Sequence, residues 1–191
     1  MKAVLFDCFG VLYPDTFWAM VNKFVPDWEA KNPTAFHDIV AKVDSGMTDR
    51  EDFWNETAEA CGISREKLDD EIKTLGTLDM ELLAYITELR GRGFKTGVIS
   101  NVGRGFFERI FDKIDPAEYF DDLVLSSEAG FVKPQPEIYE LAAYNIDVEP
   151  SDCVFIDDRA RFCSAAEDVG MKALLYKSLV KLKADLEPLL S

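Results

Sequence analysis

The stretch Lys2-Ala3-Val4-Leu5-Phe6-Asp7-Cys8-Phe9-Gly10-Val11-Leu12 decides how the chain is read. Ala3 to Phe6 is a short apolar run, the pattern of a strand buried on both faces. Asp7 follows at once, and Gly10 lets the backbone turn sharply. Open α/β sheets carry their chemistry at the carboxyl ends of central strands, which makes Asp7 a candidate site residue. Taken alone, Asp7 reads equally well as a turn or N-cap residue.

Downstream, helix and strand alternate. Leu82, Leu83, Ile86 and Leu89 predict a helix ending at Gly91 and Gly93, and Phe94 to Ser100 a strand. Phe106, Phe107, Ile110 and Phe111 predict a helix, and Leu123 to Leu125 a third strand followed by Ser126-Ser127. A helix with Ile138, Tyr139, Leu141 and Ala142 follows Lys133-Pro134-Gln135-Pro136. Cys153 to Ile156 predict a fourth strand ending in Asp157-Asp158. A helix stopping at Gly170, a fifth strand over Ala173 to Tyr176 and a closing leucine-lined helix complete the chain. Strands joined by helices imply right-handed crossovers and a parallel, doubly wound, five-stranded Rossmann-like α/β sheet.

Between the first strand and this alternation, residues 14–77 show helical spacing and many aromatics. Phe17, Met20, Val21, Phe24 and Val25 form one helix and Phe36, Ile39, Val40 and Val43 another. Thr48 to Glu51 reads as a capping box opening a third helix through Trp54, closed by Cys61-Gly62, and Ser64 caps a fourth. Four helices and no strand predict an inserted helical domain with its own small core, with residues 1–13 and 78–191 forming the α/β domain. The lone His37 lies in the insertion and reads as a surface or packing residue.

The chain has 191 residues, enough for one sizeable core plus an insertion, and its formal net charge is −15. That charge argues against nucleic acid and anionic membranes as partners. No stretch reaches the ~18 apolar residues of a membrane span. Cys8, Cys61, Cys153 and Cys163 have no metal-type spacing, which suggests free thiols and a cytoplasmic protein.

Asp7, Ser100, Lys133, Asp157 and Asp158 each sit at or just beyond a predicted strand end, so a parallel sheet brings them to one edge. Singly, Ser100 reads as a helix cap, Lys133 as a solvated loop lysine and Asp157-Asp158 as a turn. Together, three carboxylates repel one another and hold protons unless a cation sits between them. An all-oxygen set of this kind suits Mg²⁺. Lys133 and Ser100 add a charge and a donor for an anionic substrate.

These motifs, in this order, resemble the haloacid dehalogenase-like (HAD) hydrolase superfamily over nearly the whole chain. Phe6 to Leu12 resembles its nucleophile loop, Ile99-Ser100-Asn101 its second motif, Lys133-Pro134 its third and Phe155 to Asp158 its fourth. The insertion resembles the family's helical cap. Its wording around Gly46-Met47-Thr48 and Glu51 to Trp54 is similar to the phosphatase domain of epoxide hydrolases and to small sugar-phosphate phosphatases. The resemblance implies that Asp7 is a nucleophile forming an aspartyl-phosphate. It implies Mg²⁺ on the Asp7 carboxylate, the Phe9 backbone carbonyl and Asp158, with Asp157 acting through water. Ser100, Asn101 and Lys133 would hold the phosphoryl oxygens, and the cap would select a small phosphorylated metabolite.

Phe9 departs from the pattern, because phosphatases of the family carry an aspartate there as general acid and base. Its loss costs roughly 10²–10⁴ in rate. Should alkyl phosphates nevertheless react well, Tyr13, Asp15 and His37 are the first alternative donors. Dehalogenase members carry an aromatic residue there but work without metal and generally lack the paired acids. The reading is a Mg²⁺-dependent phosphomonoester hydrolase, slowed at Phe9. The alternatives are a metal-independent 2-haloacid dehalogenase-like enzyme and a binding protein that has lost turnover. Substrate and oligomeric state are not legible.

Overall fold

A computed structural model describes residues 1–31 and 33–190. Five strands, β1 (Ala3–Phe6), β2 (Lys95–Ser100), β3 (Asp122–Leu125), β4 (Cys153–Asp157) and β5 (Lys172–Leu175), form one parallel sheet in the order β3-β2-β1-β4-β5. The chain thus starts in the middle of the sheet, builds outward on one side and returns to build the other. Phe6, the last residue of β1, is level with Val98 of β2 and Ile156 of β4, so β4 runs one residue and β2 two residues past it along the same edge.

Alternate residues of each strand feed the two faces. Val4, Phe6, Val98, Val154 and Ile156 pack on one side. They meet α6 (Met80–Gly91), α7 (Phe106–Phe111) and α11 (Leu179–Leu190) through Leu82, Ile86, Phe107, Phe111 and Leu186. Ala3, Leu5, Ile99, Val124 and Phe155 pack on the other side against α9 (Pro136–Asn145) and α10 (Ala160–Asp168), through Ile138, Tyr139, Phe162 and Ala166. The helix linking β1 to β2 and the one linking β3 to β4 therefore lie on opposite faces. The switch between faces falls at the seam of β1 and β4, where such sheets open a crevice at the strand ends.

The segment after β1 contributes α1 (Phe17–Phe24), α2 (Trp28–Lys31), α3 (Pro33–Asp44), α4 (Arg50–Cys61) and α5 (Arg65–Ile72), and no strand among the described residues. These helices bury a third cluster around Met20, Val21, Trp28, Phe36, Phe53, Trp54 and Leu68, with Phe106 of α7 packed against it. The four expected helices are five, because Trp28 to Lys31 makes an extra turn. The cap of α4 is Asp49, not Thr48: its carboxylate accepts the Asp52 N–H at 2.9 Å, the job that the capping-box reading gave to the hydroxyl one residue earlier. Ser64 caps α5 as expected, accepting from Lys67 N–H. A short helix, α8 (Ser126–Ala129), occupies what read as loop after β3. Among the described residues no helix is long and apolar enough to cross a membrane.

Candidate active site

The Asp7 N–H donates to the Ile156 carbonyl at 2.8 Å, which fixes Asp7 at the β1–β4 seam. Asp157 ends β4 beside it, and Lys133 reaches in from the loop between α8 and α9. The Lys133 Nζ lies 2.7 Å from Asp7 Oδ1 and 2.7 Å from Asp157 Oδ2. Lys133, Asp7 and Asp157 are only 3%, 5% and 0% exposed. Asn101 holds the lysine in place: its Oδ1 accepts the Lys133 N–H at 2.7 Å and its Nδ2 donates to the Lys133 carbonyl at 3.1 Å. The Asn101 side chain is therefore engaged by Lys133. The ammonium also sits over the rings of Phe162 and Phe155, at 4.8 and 5.3 Å.

Burial pushes the Asp7 carboxyl up to about 7, with Lys133 pulling down and Asp157 pushing further up. Burial pulls Lys133 down, but Asp7 and Asp157 outweigh it, so its pKa ends above the ordinary lysine value and the ammonium stays charged. Cys8 is fully buried, and burial followed by Asp7 drives its thiol far above the usual range. It is a packing residue whose N–H donates to Asp7 Oδ1 at 2.7 Å, and all four cysteines are buried free thiols.

Asp158 completes a cluster in which carboxylate oxygens of Asp7, Asp157 and Asp158 all lie within 4.8 Å of one another. Its Oδ1 is buried without a hydrogen-bond partner among the described residues, and Arg159 Nε at 4.0 Å is beyond reach. Burial, then Asp157, raises its pKa. Gly10 permits this placement: with φ at +89°, any Cβ there would run into the Asp158 carboxylate. Clustered hard oxygens with one orphaned acceptor are what Mg²⁺ takes, so the donor set fits that ion. Ser100, at the end of β2, is fully buried with its hydroxyl unpartnered among the described residues. A buried donor in that state favours any acceptor brought to it.

Asp7, Phe9, Asn101 and Lys133 open onto a cavity of about 840 Å³, which extends between α1, α3, α4 and α7. Phe9 is half-buried on its wall, edge-on to Tyr13 with ring centres 6.2 Å apart. Tyr13 donates its hydroxyl proton to the Gly76 carbonyl at 3.1 Å, and Asp15 is ion-paired with Arg159. His37 is exposed and lies against Trp18 and Trp28, centroids 4.9 and 5.3 Å away. The three donors suggested by sequence are thus all engaged in other contacts.

Two wall residues escaped the sequence reading. Arg159 directly follows the acid pair and bonds Asp15 across the crevice. Asp44 ends α3, where its carbonyl accepts the Ser126 hydroxyl at 2.5 Å. Gly103 lies against Val43 with no room for a Cβ, which seats this helix end over the sheet edge. Burial pushes the Asp44 carboxyl up to about 7, against the pull of Lys133 and Arg159. One sequence signal existed: an acid at a helix C-terminus has the wrong sign for the helix dipole.

A family model described as haloacid dehalogenase-like hydrolase matches residues 1–170. A sesquiterpene phosphatase of Aspergillus oryzae is 23% identical over 91% of this chain and 88% of its own length. Bifunctional epoxide hydrolase 2 of Rattus norvegicus is 23% identical over 69% of this chain, and that match spans only 26% of the relative's length. Among solved structures, a HAD family enzyme of Bacteroides thetaiotaomicron in complex with magnesium and inorganic phosphate shares the fold with a TM-score of 0.75. It is 21% identical, over 94% of this chain and 96% of its own. Because the family match takes in β1 to β4 and every strand-end residue described above, the chain belongs to the haloacid dehalogenase-like hydrolase family.

Proposed function

We propose that the protein is a Mg²⁺-dependent phosphomonoesterase that uses Asp7 as nucleophile, with residues 14–77 acting as a cap over the core of residues 1–13 and 78–191. The observation that carries this reading is the buried Asp7–Lys133–Asp157 triad at a cavity mouth, with Asp158 alongside. Phosphatases among the relatives, and a magnesium–phosphate complex of the same fold, support it.

Asp7 Oδ2 attacks phosphorus and the ester P–O bond breaks, leaving the phosphoryl group on Asp7. Water then attacks the same phosphorus, releasing inorganic phosphate and restoring the carboxylate. Asp7, Asp158 and the Phe9 carbonyl, with Asp157 behind them, would hold Mg²⁺, which would supply positive charge for the phosphoryl oxygens. Lys133 supplies a fixed positive charge beside the nucleophile, and the Ser100 hydroxyl and the Asn101 N–H donate to the transferring oxygens. Asn101 also orients Lys133 through its backbone. Phe9 offers no proton to the departing oxygen, so acyl and aryl phosphates, whose leaving groups are stable anions, react fastest.

Phosphate release from a panel of acyl, aryl and alkyl phosphates, with Mg²⁺ and with EDTA, tests the reading. Release with Mg²⁺ alone, abolished by Asp7→Asn, is expected. Phe9 alone favours the second reading, displacement of halide from carbon without metal. Halide release from 2-haloacids in EDTA, with no phosphate release from any ester, would replace the first reading with that one.

A further inference from the structure

The cavity beyond Asp7 has a wall whose chemistry is uneven. Phe17, Val40, Phe53, Trp54, Ile72 and Phe106 line it and come from five different helices. The aromatic rings among them touch: Phe17 to Phe53 at 5.4 Å, Phe53 to Phe106 at 5.5 Å and Trp54 to Phe106 at 5.8 Å. Phe17, Val40, Ile72 and Phe106 are only half-buried, so apolar surface remains open.

Four polar side chains of the same lining, Tyr13, Asp15, Thr16 and Asn101, are by contrast engaged with protein partners, while Arg109, Asp112, Lys113 and Arg161 supply charge elsewhere on it. Tyr13 donates to the Gly76 carbonyl and Thr16 Oγ1 to the Leu75 carbonyl, both at 3.1 Å. Asp15 holds Arg159, and Asn101 holds the Lys133 backbone. A sugar leaving group brings several hydroxyls, each of which loses water on entry and needs a partner in return. These four side chains cannot serve them without giving up a bond they already make. An apolar body needs no such partners and covers ring surface that otherwise faces water. The volume, about 840 Å³, lies in the upper part of the ~300–1,000 Å³ typical of ligand cavities, far beyond what a phosphoryl group alone needs.

We infer that the organic half of the substrate is a large apolar body, a long-chain or polycyclic phosphomonoester rather than a sugar phosphate, seated on the Phe17–Phe53–Phe106 wall. This rests on the phosphomonoesterase reading for the placement of the phosphoryl group, and it sets aside the expectation of a small metabolite. Phe17, Phe53 and Phe106 then determine specificity.

The test uses the full chain with Mg²⁺ and a series of butyl-, hexyl- and octylphosphonate, titrated calorimetrically, with inorganic phosphate as competitor and glucose 6-phosphate as comparison. The phosphonates cannot be hydrolysed, so their binding is read without turnover, and glucose 6-phosphate, an ester, is compared with octylphosphonate on Asp7→Asn. Affinity is expected to rise by about fourfold per added methylene. Phosphate should displace every member, and glucose 6-phosphate should bind at least tenfold more weakly than octylphosphonate, as follows from about four buried methylenes. Phe17→Ser and, as a milder change, Phe106→Leu should flatten the chain-length dependence, with thermal unfolding run on each variant. A flat series in the wild type, or tighter binding of the sugar phosphate, would overturn the inference. A steep series without phosphate release from any ester would overturn the hydrolase reading and leave the binding inference standing.

Discussion

Lys133→Met replaces the central cation with an uncharged chain of similar length and tests whether Lys133 is what permits two acids to share a dry site. Each 2.7 Å contact, to Asp7 and to Asp157, is worth about 6 kcal/mol of gross attraction at an effective dielectric of ~20. Desolvating three ions offsets most of that sum. What remains after deleting one partner is the cost of the stranded charges, about 3–5 kcal/mol for a buried pair. For a domain of this size that corresponds to a fall in Tm of roughly 6–20 °C at pH 8 in EDTA. The pH dependence identifies the cause. The Asp7 carboxyl, already raised to about 7 against the pull of Lys133, rises further above its unfolded value once the lysine is gone. Such groups add most stability at low pH and lose it as pH climbs through the folded pKa, so the deficit at pH 5 should be smaller than at pH 8. Thermal unfolding followed by circular dichroism at both pH values, wild type beside variant, is sufficient. A shift under about 2 °C at pH 8, or an equal deficit at the two pH values, would refute the idea that charge compensation by Lys133 holds this site together.

In the wild type, Mg²⁺ at one hundred times its Kd should raise Tm by roughly 5–11 °C by mass action, and Asp158→Asn should remove the shift. Gly10→Ala forces a Cβ into Asp158 at a φ costing roughly 1–2 kcal/mol, so both stability and the Mg²⁺ shift should fall. Gly62→Ala, at a comparable φ of +66° in open space, should lose stability and keep the shift, and loss of the shift there too would implicate global strain. Asp7 and Asp44 both have folded pKa values near 7, above the unfolded value, so in EDTA their contribution falls as pH rises from about 4 to 7. Asp44→Asn should make that fall shallower, and an unchanged pH–Tm curve would show that Asp44 does not hold the proton. Phe9→Asp should raise rates on alkyl phosphates more than on aryl phosphates, at some loss of Tm because Phe9 is half-buried. If the wild type already treats the two classes alike, Asp44→Asn is expected to slow the alkyl esters selectively.

Local chemistry made much of this protein legible in one dimension. Short, largely apolar runs, each stopping at a polar residue, marked the five strands, because a parallel strand covered on both faces has little polar face to show. Their alternation with helical spacing implied the parallel sheet, and the sheet implied that Asp7, Ser100, Lys133 and Asp157-Asp158 share an edge. The aromatic stripe of residues 14–77 announced helices with a core of their own. Capping was readable only to within a residue, since Thr48 and Asp49 are both competent and only backbone geometry chooses between them.

What the sequence left open depends on distances between residues far apart along the chain. Spacing places Lys133 near the crevice, but only the strand order and the Asn101 clamp bring its ammonium to 2.7 Å from two acids. Asp44 and Arg159 were missed for the same reason. Each looks like an ordinary surface charge until α3 docks on Ser126 and Gly103, and until Asp15 is carried across to Arg159. The cavity is tertiary in the fullest sense, because rings from three helices spread over ninety positions make one wall. Whether an aromatic residue faces its own core or an open space is set by how helices pack, and local periodicity carries no record of that.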